Sequence, residues 1–281
     1  MPIYQFSNTC THLLDEKIKN DSSYKVLRQD VNISLHAQLV DMFQCIHGNN
    51  SKSDVDDIEL KELKKLRLKG GIIEKKKLSD MIGFELEVRP STVANAGDGV
   101  FVKEGSLLPG QVIALFPGHV HLAEYTKKNE HIQSLLPDDN FMLMIRKDNI
   151  IIDSRHLVHD INPYAVAHKV NHPPSGILPN SLQLPFNFSS DPLDISDDIF
   201  PHKLRYLVPN TYSKEPSFLG SPDRSAFMHT MVLLSTKHLS VGDEIFMDYR
   251  LKVDENSEHN SSLPAWYSPT LLNKPETKED E

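Results

Sequence analysis

Cysteine is almost absent: only Cys10 and Cys45 occur, in no CxxC or metal-ligand spacing. That excludes a disulfide framework and points to a reducing compartment, cytosol or nucleus. Asn-x-Ser/Thr sequons, among them those at Asn20, Asn32, Asn187 and Asn260, are then expected to be accidental. No apolar run approaches the ~20 residues of a membrane helix, so no membrane span is expected. The first residues, Met1 to Gln5, carry neither a basic nor an apolar leader region, so no secretory signal is read there. Basic excess is also missing. A formal net charge of −9 argues against a broad nucleic-acid-gripping surface, and biases encounters toward basic peptides, lysine-rich tails included. Simple solubility explains that charge equally well.

What remains is an ordinary globular balance, 39% hydrophobic and 25% charged over 281 residues. This suits one large domain with a smaller helical extension. Residues 1–80 are polar and lysine-rich, and read as a helical N-terminal extension. Within it, Ser34 to His47 puts Leu35, Leu39, Met42, Phe43 and Ile46 near one helical face. A second, charged helix is predicted over Asp54 to Lys69, closed by Gly70-Gly71. The basic run from Lys61 to Lys77 is interrupted by Glu62, Glu74, leucines and glycines, and reads as a solvated face before it reads as a nuclear-import signal.

From residue 81 to 252 short apolar runs alternate with turn residues, and we read one β-rich domain. Strands are predicted at Phe84–Val88, Gly99–Val102, Gln111–Phe116, Phe141–Ile145, Asn149–Asp153, Ala226–Ser235 and Glu244–Tyr249. No long helix alternates with them, so a doubly wound parallel sheet is not expected. The Pro/Ser/Asp-rich interval 182–224 reads as an insertion with one short helix near Phe200 to Tyr206. Residues 253–281 form a polar tail expected to be largely disordered, with one apolar patch, Leu263 to Tyr267, able to dock.

Four segments could carry chemistry. Gly97-Asp98-Gly99 is a Gly-x-Gly turn entering a β-run, where backbone groups can approach a ligand closely. Alone it is better read as a hairpin turn. Gln111 to Gly118, with Ile151-Ile152-Asp153, reads as core strand and turn. Asn171-His172 beside Pro173 places an amide and an imidazole on a constrained turn, able to hold the polar parts of a nucleoside ligand; Asn180 follows. Gly242-Asp243-Glu244-Ile245 leads into a strand ending at Asp248-Tyr249, otherwise an edge hairpin with a partly buried tyrosine. Fourteen histidines invite a metal reading, yet His119/His121 and His156/His159 lack a completing ligand set and no HExxH occurs. No metal is expected.

Each segment is unremarkable by itself, but their order and separations resemble the SET methyltransferase domain from about Gly83 to Leu251. The likeness is greatest to the family of SET domain-containing protein 9, through the stretched gap between Asn171 and Asn180 and the Phe200-Pro201 to Pro209-Asn210 segment. The resemblance implies an α+β, β-rich fold: small, curved, antiparallel sheets with a C-terminal pseudoknot formed by the Asn171-His172 segment and the strand ending at Tyr249. It implies S-adenosylmethionine as cofactor, held by Gly97, Asp98, Gly99, Asn171, His172 and Tyr249. Tyr249 would be the catalytic residue, aligning the amine of a lysine in a protein substrate, while Asp248 holds the turn. No nucleic acid or membrane is implied, and a monomer is expected. Two departures stand out: Pro173-Pro174 replace the usual Ser-Cys, and no cysteine-rich zinc clusters flank the domain. They favour a rival reading, a SET-fold scaffold or binding module without catalysis. They also leave open what closes the substrate channel, for which the patch around Trp266 is one possibility.

Overall fold

The computed structural model describes residues 22–51, 77–123, 142–155, 161–189, 200–213 and 226–250, together with Tyr267. The helix predicted over Asp54 to Lys69 lies outside them, as does the tail except Tyr267. Within them the chain is α+β and strand-rich, with three small sheets and few helices.

Helix α1 (Ser22–Ser51) contains the predicted Ser34–His47 stretch and extends beyond it at both ends. Its spacing of apolar residues works as expected: Leu35, Leu39, Met42, Phe43 and Ile46 are all buried. Phe43 meets Phe200 edge-on, with centroids 5.3 Å apart, and Phe200 meets Phe188 the same way at 4.7 Å. Gln38 anchors the helix to the sheet: its Nε2 donates to the Gly110 carbonyl (3.0 Å) and its Oε1 accepts from the Val112 N–H (2.8 Å). The apolar face of the helix therefore joins the main core. A short helix α2 (Leu78–Ile82) leads from Lys77 into the sheets.

The strands are β1 (Phe84–Pro90), β2 (Asp98–Leu107), β3 (Val112–Leu115), β4 (Gly118–His121), β5 (Leu143–Ile145), β6 (Ile151–Asp153), β7 (Ser181–Ser189), β8 (Asn210–Tyr212), β9 (Ala226–Ser235) and β10 (Leu239–Ser240). One sheet has the order β1-β2-β10, another β3-β9-β7, and the third β5-β6-β4-β8. Every pairing is antiparallel except β4 with β8. Burial of Val100, Val102, Ile113, Leu115, Val120, Ile152, Phe188 and Val232 joins the sheets and α1 in one apolar core.

Two local readings are corrected and one, the short helix, is borne out with shifted bounds. Residues 182–189, read as the start of an insertion, belong to strand β7 (Ser181–Ser189), which pairs along its length with β9. It tolerates Pro185, which lacks an N–H, because β7 lies at the edge of its sheet. The short helix near Phe200 to Tyr206 exists as a 3-10 turn over His202–Leu207. Glu244–Tyr249, predicted as a strand, makes only isolated bridges: Phe101 with Glu244 antiparallel, and Asn171 with Phe246 and Ser181 with Met247 parallel. Its partner changes between 244 and 246 and again at 247, so no ladder forms.

Candidate functional site

The turn between β1 and β2 is closed by the Ser91 N–H donating to the Gly97 carbonyl (2.9 Å). Asn95 (φ 63°) and Gly97 (φ 73°) sit in the left-handed region. Glycine enters it freely, and asparagine is among the few other residues that do so often. No atom lies within 4 Å of where a Gly97 side chain would begin, so this edge of the turn is open. Gly99 differs. It is buried, and a methyl group there would overlap Oε1 of Glu244.

Glu244 is buried but not stranded. Its carboxylate accepts the Ser91 hydroxyl (2.6 Å), the Thr92 N–H (2.8 Å) and the Thr92 hydroxyl. Three donors offset much of the desolvation that burial imposes on a carboxylate.

The 3-10 turn Ala167–Lys169 delivers Val170, Asn171 and His172 to the same region. Asn171 Nδ2 donates to the Asp98 carbonyl (2.9 Å), and the Asn171 carbonyl accepts from the Met247 N–H (3.0 Å). His172 is buried, and its Nδ1 accepts from the Tyr249 N–H (3.3 Å), which puts the neutral ring's proton on Nε2. Tyr249 returns the contact: its hydroxyl donates to the Val170 carbonyl (3.1 Å). Burial pushes the Tyr249 phenol up to about 12, so it keeps its proton throughout the physiological range. Asp248 accepts the Arg250 N–H (2.9 Å), a local turn bond. Its carboxylate stands 3.7 Å from His172 Nδ1, an ion pair only when that ring is protonated.

The structure thus brings all the sequence-predicted residues together. Gly97, Asp98 and Gly99 meet Asn171 through the Asp98 carbonyl, and Asn171 and His172 meet the segment that ends at Tyr249. Sequence reasoning missed Lys169, and it noted Asn180 and the Leu263–Tyr267 patch without their contacts. Lys169 Nζ is 3.8 Å from the exposed Asp98 carboxylate, placing a cation beside the turn. Asn180 holds the 244–246 backbone with both ends of its amide. Tyr267, from the predicted apolar patch, is buried against His172 with ring centroids 4.5 Å apart and planes inclined at 30°. The one usable signal was Glu244, a carboxylate opening an otherwise apolar run.

Among the described residues, no group of three or more His, Cys, Asp or Glu side chains is placed to hold a metal. Nor is any helix among them long and apolar enough to cross a membrane. A cleft between α1 and the strands, lined by Gln38, Asp41, Met42, Cys45, Met81 and Phe84, lies apart from these segments.

No protein-family model and no curated protein matches the chain. A solved structure described as "ctPRC2 in an autoinhibited conformation bound to S-adenosylmethionine" aligns with 63% of this chain and 16% of its own chain, at 12% identity and a TM-score of 0.32. A likeness at that score carries no argument.

Proposed function

We propose that this chain is a SET-type methyltransferase that uses S-adenosylmethionine to methylate lysine side chains of other proteins. One observation carries the reading: the Asn171-His172 turn is bonded on one side to the Asp98 carbonyl and on the other to the segment ending at Tyr249. Segments far apart in sequence thereby meet in the order the SET resemblance requires. The passage of residues 244–249 beside Asn171 and Ser181 is the threading we read as the pseudoknot.

The donor set fits the proposed cofactor. An amino acid carboxylate would find Lys169, and its ammonium would find the exposed Asp98 carboxylate and the carboxamide oxygen of Asn171. The open edge at Gly97 admits the ligand to the backbone, and the buried His172 ring, packed beside Tyr249 and Tyr267, braces the Asn171 turn from behind. When bound, S-adenosylmethionine supplies a methyl group activated by a sulfonium.

The protein's part is positioning. A lysine ammonium, with an ordinary pKa of ~10.4, must shed its proton before it can attack, and desolvation beside a positive charge favours that loss. Tyr249 cannot take the proton as a phenolate, because burial keeps its hydroxyl protonated. Its role is to orient the amine, with nearby backbone carbonyls, for in-line attack. Asp248 holds the turn. The acidic chain favours basic peptide partners, and the scarcity of cysteine favours a reducing compartment, cytosol or nucleus.

The test is calorimetric titration with S-adenosylmethionine, which is expected to bind the native protein and not the Asn171→Ala variant. Tyr249→Phe is expected to retain binding while methyl transfer to a lysine-rich peptide falls about 100-fold. A second reading, a binding module without catalysis, draws on Pro173-Pro174 after His172 and on the prior engagement of the Tyr249 hydroxyl with Val170. Folded native protein that gives no heat with S-adenosylmethionine would replace the first reading with this one.

A further inference from the structure

We infer that Glu244 is a positioning residue that latches the Ser91–Gly97 turn, and that this latch sets how tightly the site holds its nucleotide ligand; the inference rests on the reading just proposed. The carboxylate is the meeting point of the site's parts. From the return segment it reaches across to the Ser91 hydroxyl and to the N–H and hydroxyl of Thr92. Ser91 in turn closes the turn through its N–H to the Gly97 carbonyl, and its Oγ accepts the Val93 N–H (3.0 Å). The backbone carbonyl of Glu244 accepts Asn180 Nδ2 (2.8 Å), and its antiparallel bridge to Phe101 fixes it against β2. Gly99 makes the arrangement possible, because any side chain there would overlap the carboxylate.

Two consequences separate a latch from general structural support. Gly97 and Asp98 lie at the end of the latched turn, whereas Tyr249 is held independently, through Val170 and His172. Releasing the latch therefore loosens the ligand-holding backbone and leaves the amine-orienting hydroxyl in place. The loss should appear in the affinity and KM for S-adenosylmethionine, and not in kcat at saturation. The carboxylate also bonds to exposed Thr92, so removing the Thr92 hydroxyl weakens the latch without disturbing the core.

The experiment measures S-adenosylmethionine binding, kcat and KM, and hydrogen exchange of the residue 93–98 amides in four proteins. These are native, Glu244→Ala, Glu244→Gln and the Ser91→Ala/Thr92→Val double variant. Glu244→Ala is expected to bind about tenfold or more weakly, with faster exchange confined to the turn and kcat within about threefold of native. Glu244→Gln, which retains an acceptor for Thr92 and a donor for Ser91 Oγ, should recover most of that loss. If Glu244→Ala does not fold, the double variant, which alters the partners and leaves Glu244 intact, decides the matter by the same readouts. Faster exchange with unchanged affinity would overturn the latch alone, and so would a kcat loss as large as the affinity loss. Absence of binding by native protein would overturn the proposed function together with the latch.

Discussion

Asn180→Ala is the sharpest structural probe of how the site is held together. Both ends of the Asn180 amide bond to one backbone stretch: Nδ2 donates to the Glu244 carbonyl (2.8 Å), and Oδ1 accepts from the Phe246 N–H (2.8 Å). Truncation removes both bonds and leaves an N–H and a C=O on residues that are themselves buried. Each orphaned group costs about 1–3 kcal/mol if water cannot reach it. Asn180 is only half-buried, so the vacated space admits some water and the lower part of that range applies. The neighbouring bonds survive, since the Asn180 and Ser181 N–H groups and the Ser181 hydroxyl still donate to the Phe246 carbonyl. We expect a total loss of about 2–3 kcal/mol, read as a lower denaturant midpoint at unchanged slope. Asn180→Asp should do at least as badly, because a carboxylate oxygen would then face the Glu244 carbonyl. A loss below about 0.5 kcal/mol for either variant would mean that this segment is not held through Asn180, and the described geometry of the site would be refuted.

Two further perturbations test other contacts. Gly99→Ala should destabilise the chain by about 1–3 kcal/mol and weaken ligand binding, because the added methyl can be accommodated only by moving the Glu244 carboxylate off Ser91 and Thr92; thermal melts and the binding titration check this, and native-like values for both would remove the contact from the argument. His168 is held down to about 4, chiefly by burial and secondarily by adjacent Lys169. The unfolded chain binds that proton first, so stability from this residue is present above pH ~6.5 and declines as pH falls toward 4, by up to about 3 kcal/mol. His168→Gln should reduce the fall in unfolding midpoint over that window, and a variant whose pH profile parallels the native one would show that His168 takes no part in it.

The α1 helix was legible because five apolar residues fall on one face and all of them are buried. Strand β9 was legible to its ends, Ala226 and Ser235, because its apolar run is long. Strand β7 was not. Its Pro185 and Asn187 look like loop residues, and only the nine-residue register with β9 makes them a strand. Strand β4 is four residues containing two histidines, and its neighbours β6 and β8 make it a strand rather than its own composition. Gly97 and Gly99 looked equivalent in the sequence, yet one borders open space and the other accommodates Glu244. Nothing local distinguishes them, since the difference is created by a residue more than a hundred positions away. Tyr267 was foreshadowed only as part of an apolar patch. Its partner, His172, could not be read from either segment.

The failure of residues 244–249 to form a strand explains why the polar residues around it are the ones that matter. A strand inside a sheet satisfies its N–H and C=O groups on ladders, whereas a segment that bridges β2, Asn171 and Ser181 in turn cannot. Side chains take over that role here. Asn180 serves the Glu244 carbonyl and the Phe246 N–H, Ser181 Oγ serves the Phe246 carbonyl (2.8 Å), Gln183 Nε2 serves the Asp248 carbonyl (3.0 Å), and His172 serves the Tyr249 N–H. These residues come from one stretch, 172–183, which holds the segment on one flank, while β2 holds it at Ile245 through the Val100 carbonyl (2.8 Å). In the sequence each of them is an ordinary polar residue, and two of them, His172 and Asn180, stand next to a proline. Together they stand in for a missing sheet ladder, and they bring Tyr249 against the Val170-His172 turn, whose Asn171 also bonds the Gly97-Asp98-Gly99 turn.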